Sequence, residues 1–146
     1  MISKTAKAIV VILGLFYYSY ASADYKSVLK KAKQGNVKAQ YTLAIMYQFG
    51  KGVSEDDKKA FKWTRLAAMQ GYPKAQNNLG YMYDVGEGVA QDNLKAYMWK
   101  YFAAAQGELD AAAHRDDLAK QMNKQQLIKA KKMVRECKAR NYKRCD

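Results

Sequence analysis

The sequence predicts an all-α fold, a short solenoid in which helix–turn–helix repeats stack into an α-α superhelix. Three observations carry that prediction. A 36-residue unit recurs without a gap, with 17 of 36 positions identical between residues 38–73 and 74–109. Within each copy the apolar residues return at helical spacing rather than alternating as in a strand. Glycines at matched positions cut each copy into two helix-length pieces (Gly50/Gly86, Gly52/Gly88 and Gly71/Gly107). A period of this length marks units that bury their apolar faces against their neighbours.

The elements can be justified in chain order. Residues 1–23 read as a signal peptide. Lys4 and Lys7 precede an uncharged apolar run of eleven residues, 8–18, and Ala21-Ser22-Ala23 offers a small-x-small cleavage site. The run is short of the roughly 20 residues a membrane span needs, so the mature chain is expected to start at Asp24. Residues 24–37 align with the second half of a repeat, keeping Ala32, Gln34 and Gly35 in register with Ala68, Gln70 and Gly71. This half-repeat forms the N-terminal cap. In repeat 1 (residues 38–73), Ala39, Leu43, Met46 and Tyr47 fall on one face of a first helix. Gly50 and Gly52 end it, because glycine closes a helix in the left-handed conformation without a Cβ clash.

Ser54 or Asp56 can cap the second helix, whose stripe is Ala60, Trp63, Ala67 and Ala68. Repeat 2 (residues 74–109) repeats the pattern, with Trp99 in the Trp63 column. Residues 110–146 form the C-terminal capping helices. Ala111 matches Ala75, and Leu127, Ala130, Val134 and Cys137 mark the last apolar stripe. The whole amounts to about six helices with neither a linker nor a second domain.

Charge and cysteines bound the function. The chain carries +13; residues 1–23 hold two of its 26 basic residues and none of its 13 acidic ones, leaving +11 beyond them. That balance favours anionic partners, and export removes nucleic acid from the candidates. Cys137 and Cys145 read first as a disulfide in an oxidising compartment, closing a loop worth roughly 2–3 kcal/mol. Free or intermolecular thiols are the alternative.

Catalytic chemistry finds little support. The sequence has one histidine, His114, and nothing places a Ser, Cys or Thr nucleophile beside it. The Gly50-Lys51-Gly52 and Gly86-Glu87-Gly88 pairs follow helices and lack the third glycine of a phosphate-cradling loop. Glu55-Asp56-Asp57 suits a helix start, where the dipole favours negative charge. No enzyme activity, cofactor or metal is expected. The Trp63/Trp99 column reads as packing between repeats, while Tyr41, Tyr81 and Tyr101 occupy varying columns suited to exposed contact.

The columns A-x-x-x-L-x-x-x-Y-x-x-G-x-G-V and K-A-x-x-W-x-x-x-A-A-x-Q-G resemble the Sel1-like repeat family, relatives of tetratricopeptide repeats. The C-terminal segment, with Arg115-Asp116, Gln125-Gln126-Leu127 and Cys137 to Cys145, resembles that of small exported bacterial members. The resemblance implies a right-handed superhelix and a scaffold or adaptor that binds a protein or peptide along a concave strip of first helices. On that strip it places Tyr41, Thr42, Ile45, Asn77, Asn78, Tyr81, Asp84 and His114, with Gln48 and Asp117 beside them. Some cysteine-rich relatives bind or slowly hydrolyse β-lactams. They carry a Cys-x7-Cys pair in most repeats, whereas here that spacing occurs at Cys137/Cys145 alone.

Two further readings stay open. One is an envelope β-lactam- or peptidoglycan-binding protein or weak hydrolase. The other is a cationic binder of anionic envelope components through Lys124, Lys129, Lys131, Lys132, Arg135, Lys138 and Arg140. The expected setting is periplasmic or secreted and bacterial, with a monomer binding a partner protein that is acidic in the charge-driven case.

Overall fold

The computed structural model describes residues 24–145; the signal-peptide reading of residues 1–23 lies outside them. Among the described residues there are seven helices and no strand, one helix more than the sequence count. They are α1 (24–33), α2 (Val37–Gln48), α3 (Asp57–Met69), α4 (Pro73–Val85), α5 (Asn93–Ala105), α6 (Leu109–Gln121) and α7 (Lys124–Ala139). From α2 to α6 each helix packs on the next, and α7 folds back onto α5. Helices α2/α3 and α4/α5 are the two full units. None of the described helices is long and apolar enough to cross a membrane.

Local chemistry sets the boundaries. Of the two capping candidates for α3, Asp56 does the work: its carboxylate accepts from the Lys59 amide at 2.9 Å. Asp92 holds the same position before α5 and accepts from the Leu94 and Lys95 amides. Pro73 opens α4, where its missing N–H leaves no bond unmade. Gly86 ends α4 at φ 77°, a left-handed value that L side chains resist.

The repeats are joined by a hydrogen-bond pair that occurs twice. Gln70 Nε2 donates to Gln40 Oε1 at 2.6 Å, and Gln40 Nε2 donates to the Ala32 carbonyl at 3.3 Å. One unit later, Gln106 Nε2 donates to Gln76 Oε1 and Gln76 Nε2 to the Ala68 carbonyl, at the same two distances. Gln40 and Gln76 are buried, so these bonds answer the cost of taking an amide out of water. Between them the buried alanines Ala39, Ala60, Ala67, Ala75, Ala96 and Ala103 let neighbouring helices approach closely.

Helix α5 is the centre of the domain. Tyr97, Met98, Trp99 and Phe102 are all buried around it, because α4, α6 and α7 cover different faces. Trp99 is fully enclosed, whereas Trp63 in the same column is only partly buried at the α1 end. Helix α7 contributes Ala130, Val134 and Cys137 to this core. Cys137 and Cys145 are joined in a disulfide. Its loop sets Tyr142 against Phe102, with ring centroids 5.0 Å apart.

Candidate functional site

The first helices α2, α4 and α6 line two adjoining cavities. One, of about 520 Å³, lies between α2 and α4 and is bounded by Tyr41, Ile45, Gln48, Phe49, Asn78, Tyr81 and Glu87, with Asp57 from α3. The other, of about 350 Å³, lies towards α6 and is bounded by Tyr41, Lys74, Asn77, Asn78, Tyr81, Glu108, Asp110 and His114. Tyr41, Asn78 and Tyr81 belong to both, so the two adjoin along these side chains and are treated together as one groove. Tyr81 is 41% exposed on its wall and Phe49 58% at its outer end. Tyr41 leans edge-on against Tyr72. Burial, with smaller contributions from Tyr72 and Glu108, pushes its phenol above the usual 10.0, so it stays a neutral hydroxyl near neutral pH.

The second cavity has one more wall residue, and it comes from a second helix. Lys100 of α5 is only 3% exposed, yet it lines this cavity. Lys100 Nζ donates to Asn77 Oδ1 at 2.7 Å and lies 3.2 Å from His114 Nδ1. An ammonium has no lone pair to offer, so in this contact the accepting role falls to His114 Nδ1. Burial pulls the amine down from 10.5 to about 8, against the opposing pull of Asp84 and Asp110. The stem crosses α4 where Gly80 has no side chain; a Cβ there would stand 2.8 Å from Lys100 Cγ.

The sequence-derived groove set divides on inspection. Tyr41, Ile45, Asn77, Asn78, Tyr81 and His114 come together on the cavity walls. Thr42 does not join them: its hydroxyl donates to the Lys38 carbonyl one turn back, at 2.9 Å. Asp84 also lies off the cavity linings, and acts on Lys100 only through its charge. Asp117 is engaged with Lys120 at 2.9 Å, outside the groove. Asn78 has a structural task besides its place on the wall. Its Nδ2 donates to Gln48 Oε1 at 3.1 Å, and Gln48 Nε2 donates to Glu87 at 2.7 Å, tying α2 to the second unit. Lys100 was missed because a lysine in a second-helix column reads as solvated. The available signal was a paired departure between the copies, Ala44/Gly80 with Thr64/Lys100.

The basic residues Lys124, Lys129, Lys131, Lys132, Arg135, Lys138 and Arg140 are exposed along α7 and its end. Glu136 pairs with Lys132 and Arg140 at 3.7 and 3.9 Å, spacings that contribute little on a solvated helix. Lys131 and Arg135, with Tyr97, Tyr101 and Val134, line a separate cavity of about 260 Å³ on the α5/α7 side. Tyr101 therefore faces away from the groove. Among the described residues no cluster of three or more His, Cys, Asp or Glu could hold a metal ion.

Comparisons with known proteins agree with this architecture. A family model described as the Sel1 repeat matches residues 37–72 and 73–108, each one residue ahead of the units read from the sequence. A solved structure of a protective antigen present in uropathogenic Escherichia coli strains, displaying an SLR fold, is 30% identical with a TM-score of 0.76. That match covers 97% of this chain and 32% of the other. A Sel1 repeat protein from Oxalobacter formigenes is 31% identical with a TM-score of 0.64, over 77% of this chain and 50% of that one. The chain thus spans about a third and a half of these two proteins. No significant match was found among curated proteins.

Proposed function

The chain belongs to the Sel1 repeat family, whose members generally serve as protein-interaction scaffolds, and from that premise we propose that it is an exported adaptor that binds a peptide segment of a partner protein in the α2/α4/α6 groove. The observation that carries the reading is the adjacency of the two cavities, which share Tyr41, Asn78 and Tyr81. Together they offer aromatic faces, amide donors and acceptors, and exposed apolar Phe49. Rigid aromatic rings beside adaptable polar groups suit an extended chain, whose own amides need partners. The disulfide supports an oxidising, exported setting. No Ser, Cys or Thr lines either cavity, so no hydroxyl or thiol nucleophile stands beside His114 there. Binding without turnover is therefore the favoured activity.

Tyr81→Ala is the cleanest probe, since Tyr81 is exposed, whereas Asn78 also ties the two units together. Affinity capture from an envelope extract should lose a specific protein with Tyr81→Ala plus Phe49→Ala, both exposed on the cavity lining, while the melting temperature stays unchanged. Equal recovery by that variant would refute the groove. The charge-driven alternative rests on the exposed α7 lysines and arginines; it requires capture that fades as salt rises, because solvated charges are screened. Turnover of a chromogenic β-lactam would instead favour the hydrolase reading.

A further inference from the structure

Lys100 is a buried cation whose pairing is incomplete. An ammonium has three donors. Two are engaged, by the neutral acceptors Asn77 Oδ1 and His114 Nδ1. Among the described residues no carboxylate forms an ion pair with it; Asp84 and Asp110 act only from a distance. Burying a charge is expensive unless it is paired and hydrogen-bonded. A simpler side chain fits this column, since the preceding unit holds a buried Thr64 there and Ala44 in the Gly80 column. In the second unit the lysine comes with a glycine at position 80, without which its stem would collide with α4. The passage, the two supporting acceptors and the cavity of about 350 Å³ together make a site aimed into the groove.

We propose that Lys100, held by Asn77 and His114, is a receptor for one carboxylate side chain of the peptide bound in the groove. The inference rests on the peptide-groove reading above and adds the chemistry of one anchor. A side chain is favoured because Lys100 is almost fully covered whereas Tyr81 is 41% exposed: an Asp or Glu side chain can enter where a peptide backbone cannot. A single acid is favoured because Glu108 and Asp110 line the same cavity, offset only by Lys74 among its other fixed charges, and Asp110 already acts on Lys100 through its charge. A run of acids would meet those two carboxylates.

The test is selection of phage-displayed random dodecapeptides, whose C-termini are fused to coat protein so that only side chains can supply a carboxylate. Enriched peptides should share one Asp or Glu at a fixed position. Synthetic versions carrying Asn or Gln there should bind about 10- to 100-fold more weakly, the range for losing a charge-assisted hydrogen bond. Lys100→Met should bind the acid and amide forms alike. A second readout needs no variant: lysine Cε resonances of the wild type should show the Lys100 titration moving upward with the acidic peptide and not with its amide twin. Peptides that are enriched without a fixed acid, or whose acid form leaves the Lys100 titration in place, would overturn the anchor and leave the groove standing. Failure to enrich any peptide would overturn the groove itself, and the anchor with it.

Discussion

Gly80 and Lys100 should behave as one unit, and a double-mutant cycle measures the coupling. Gly80 lies inside α4, so Gly80→Ala alone gains about 1 kcal/mol of helix propensity. Its new Cβ would meet Lys100 Cγ at 2.8 Å and the Ala96 carbonyl oxygen at 3.1 Å. The Cγ is near the root of the side chain and the carbonyl is backbone, so neither yields easily. Overpacking of that kind costs about 1–3 kcal/mol, making the single variant between neutral and about 2 kcal/mol less stable. In a Lys100→Thr background the long stem is replaced by the short side chain that the first unit carries in the same column as Thr64, with Ala44 in the Gly80 column. Gly80→Ala should then stabilise by about 1 kcal/mol, recreating the Ala44/Thr64 pair of the first unit. The expected coupling is about 1–3 kcal/mol, read from urea unfolding of the four proteins followed by circular dichroism. Effects that add to within about 0.5 kcal/mol would show that Lys100 does not depend on the missing side chain.

Other outcomes follow from the same geometry. Gly88→Ala should destabilise far more than Gly107→Ala in thermal melts. Both have positive φ, but a Cβ at Gly88 would overlap the Asp57 carbonyl, whereas at Gly107 nothing lies within 4 Å. Reducing the Cys137–Cys145 disulfide should cost roughly 2–3 kcal/mol in urea unfolding, with fluorescence reporting Tyr142 leaving Phe102. An unchanged midpoint would mean the tail adds nothing to the core. Stability should also rise as pH climbs from about 8 towards 10.5, the native and ordinary values for Lys100. In that window the unfolded chain still binds the proton that the native amine has released, so the slope is positive. Lys100→Met should remove this part of the rise, and an identical pH profile in the variant would contradict a depressed amine.

Nearly all of the fold was legible because the repeat doubles every local signal. Leu43/Leu79, Tyr47/Tyr83 and Ala67/Ala103 recur 36 residues apart and are buried in both units. The glycines that divide the helices do have positive φ. At the ends, where only degraded copies exist, the helix read in residues 24–37 and the capping helices read in 110–146 are all present, and the total of about six falls one short only as a sum of those parts. The groove was partly legible: columns that vary between units and face away from the core identified Tyr41, Ile45, Asn77, Asn78, Tyr81 and His114. Thr42 lies off both cavity linings, and its hydroxyl is bonded to the Lys38 carbonyl one turn back, as a threonine inside a helix can be. Asp84 is likewise absent from both linings.

Lys100 escaped for a different reason. Matching columns reveal what the repeats share, and the shared residues here build the stack: the glutamine pairs, the alanines and the capping aspartates. Specificity must come from what differs. Two differences that look unrelated in sequence, Ala44 to Gly80 and Thr64 to Lys100, become one change when α4 and α5 are packed, since the first opens the path the second takes. A lysine without that glycine would have to point outward as an ordinary solvated charge. The same helix pair that acts as a spacer in the first unit thereby delivers a cation to the groove in the second.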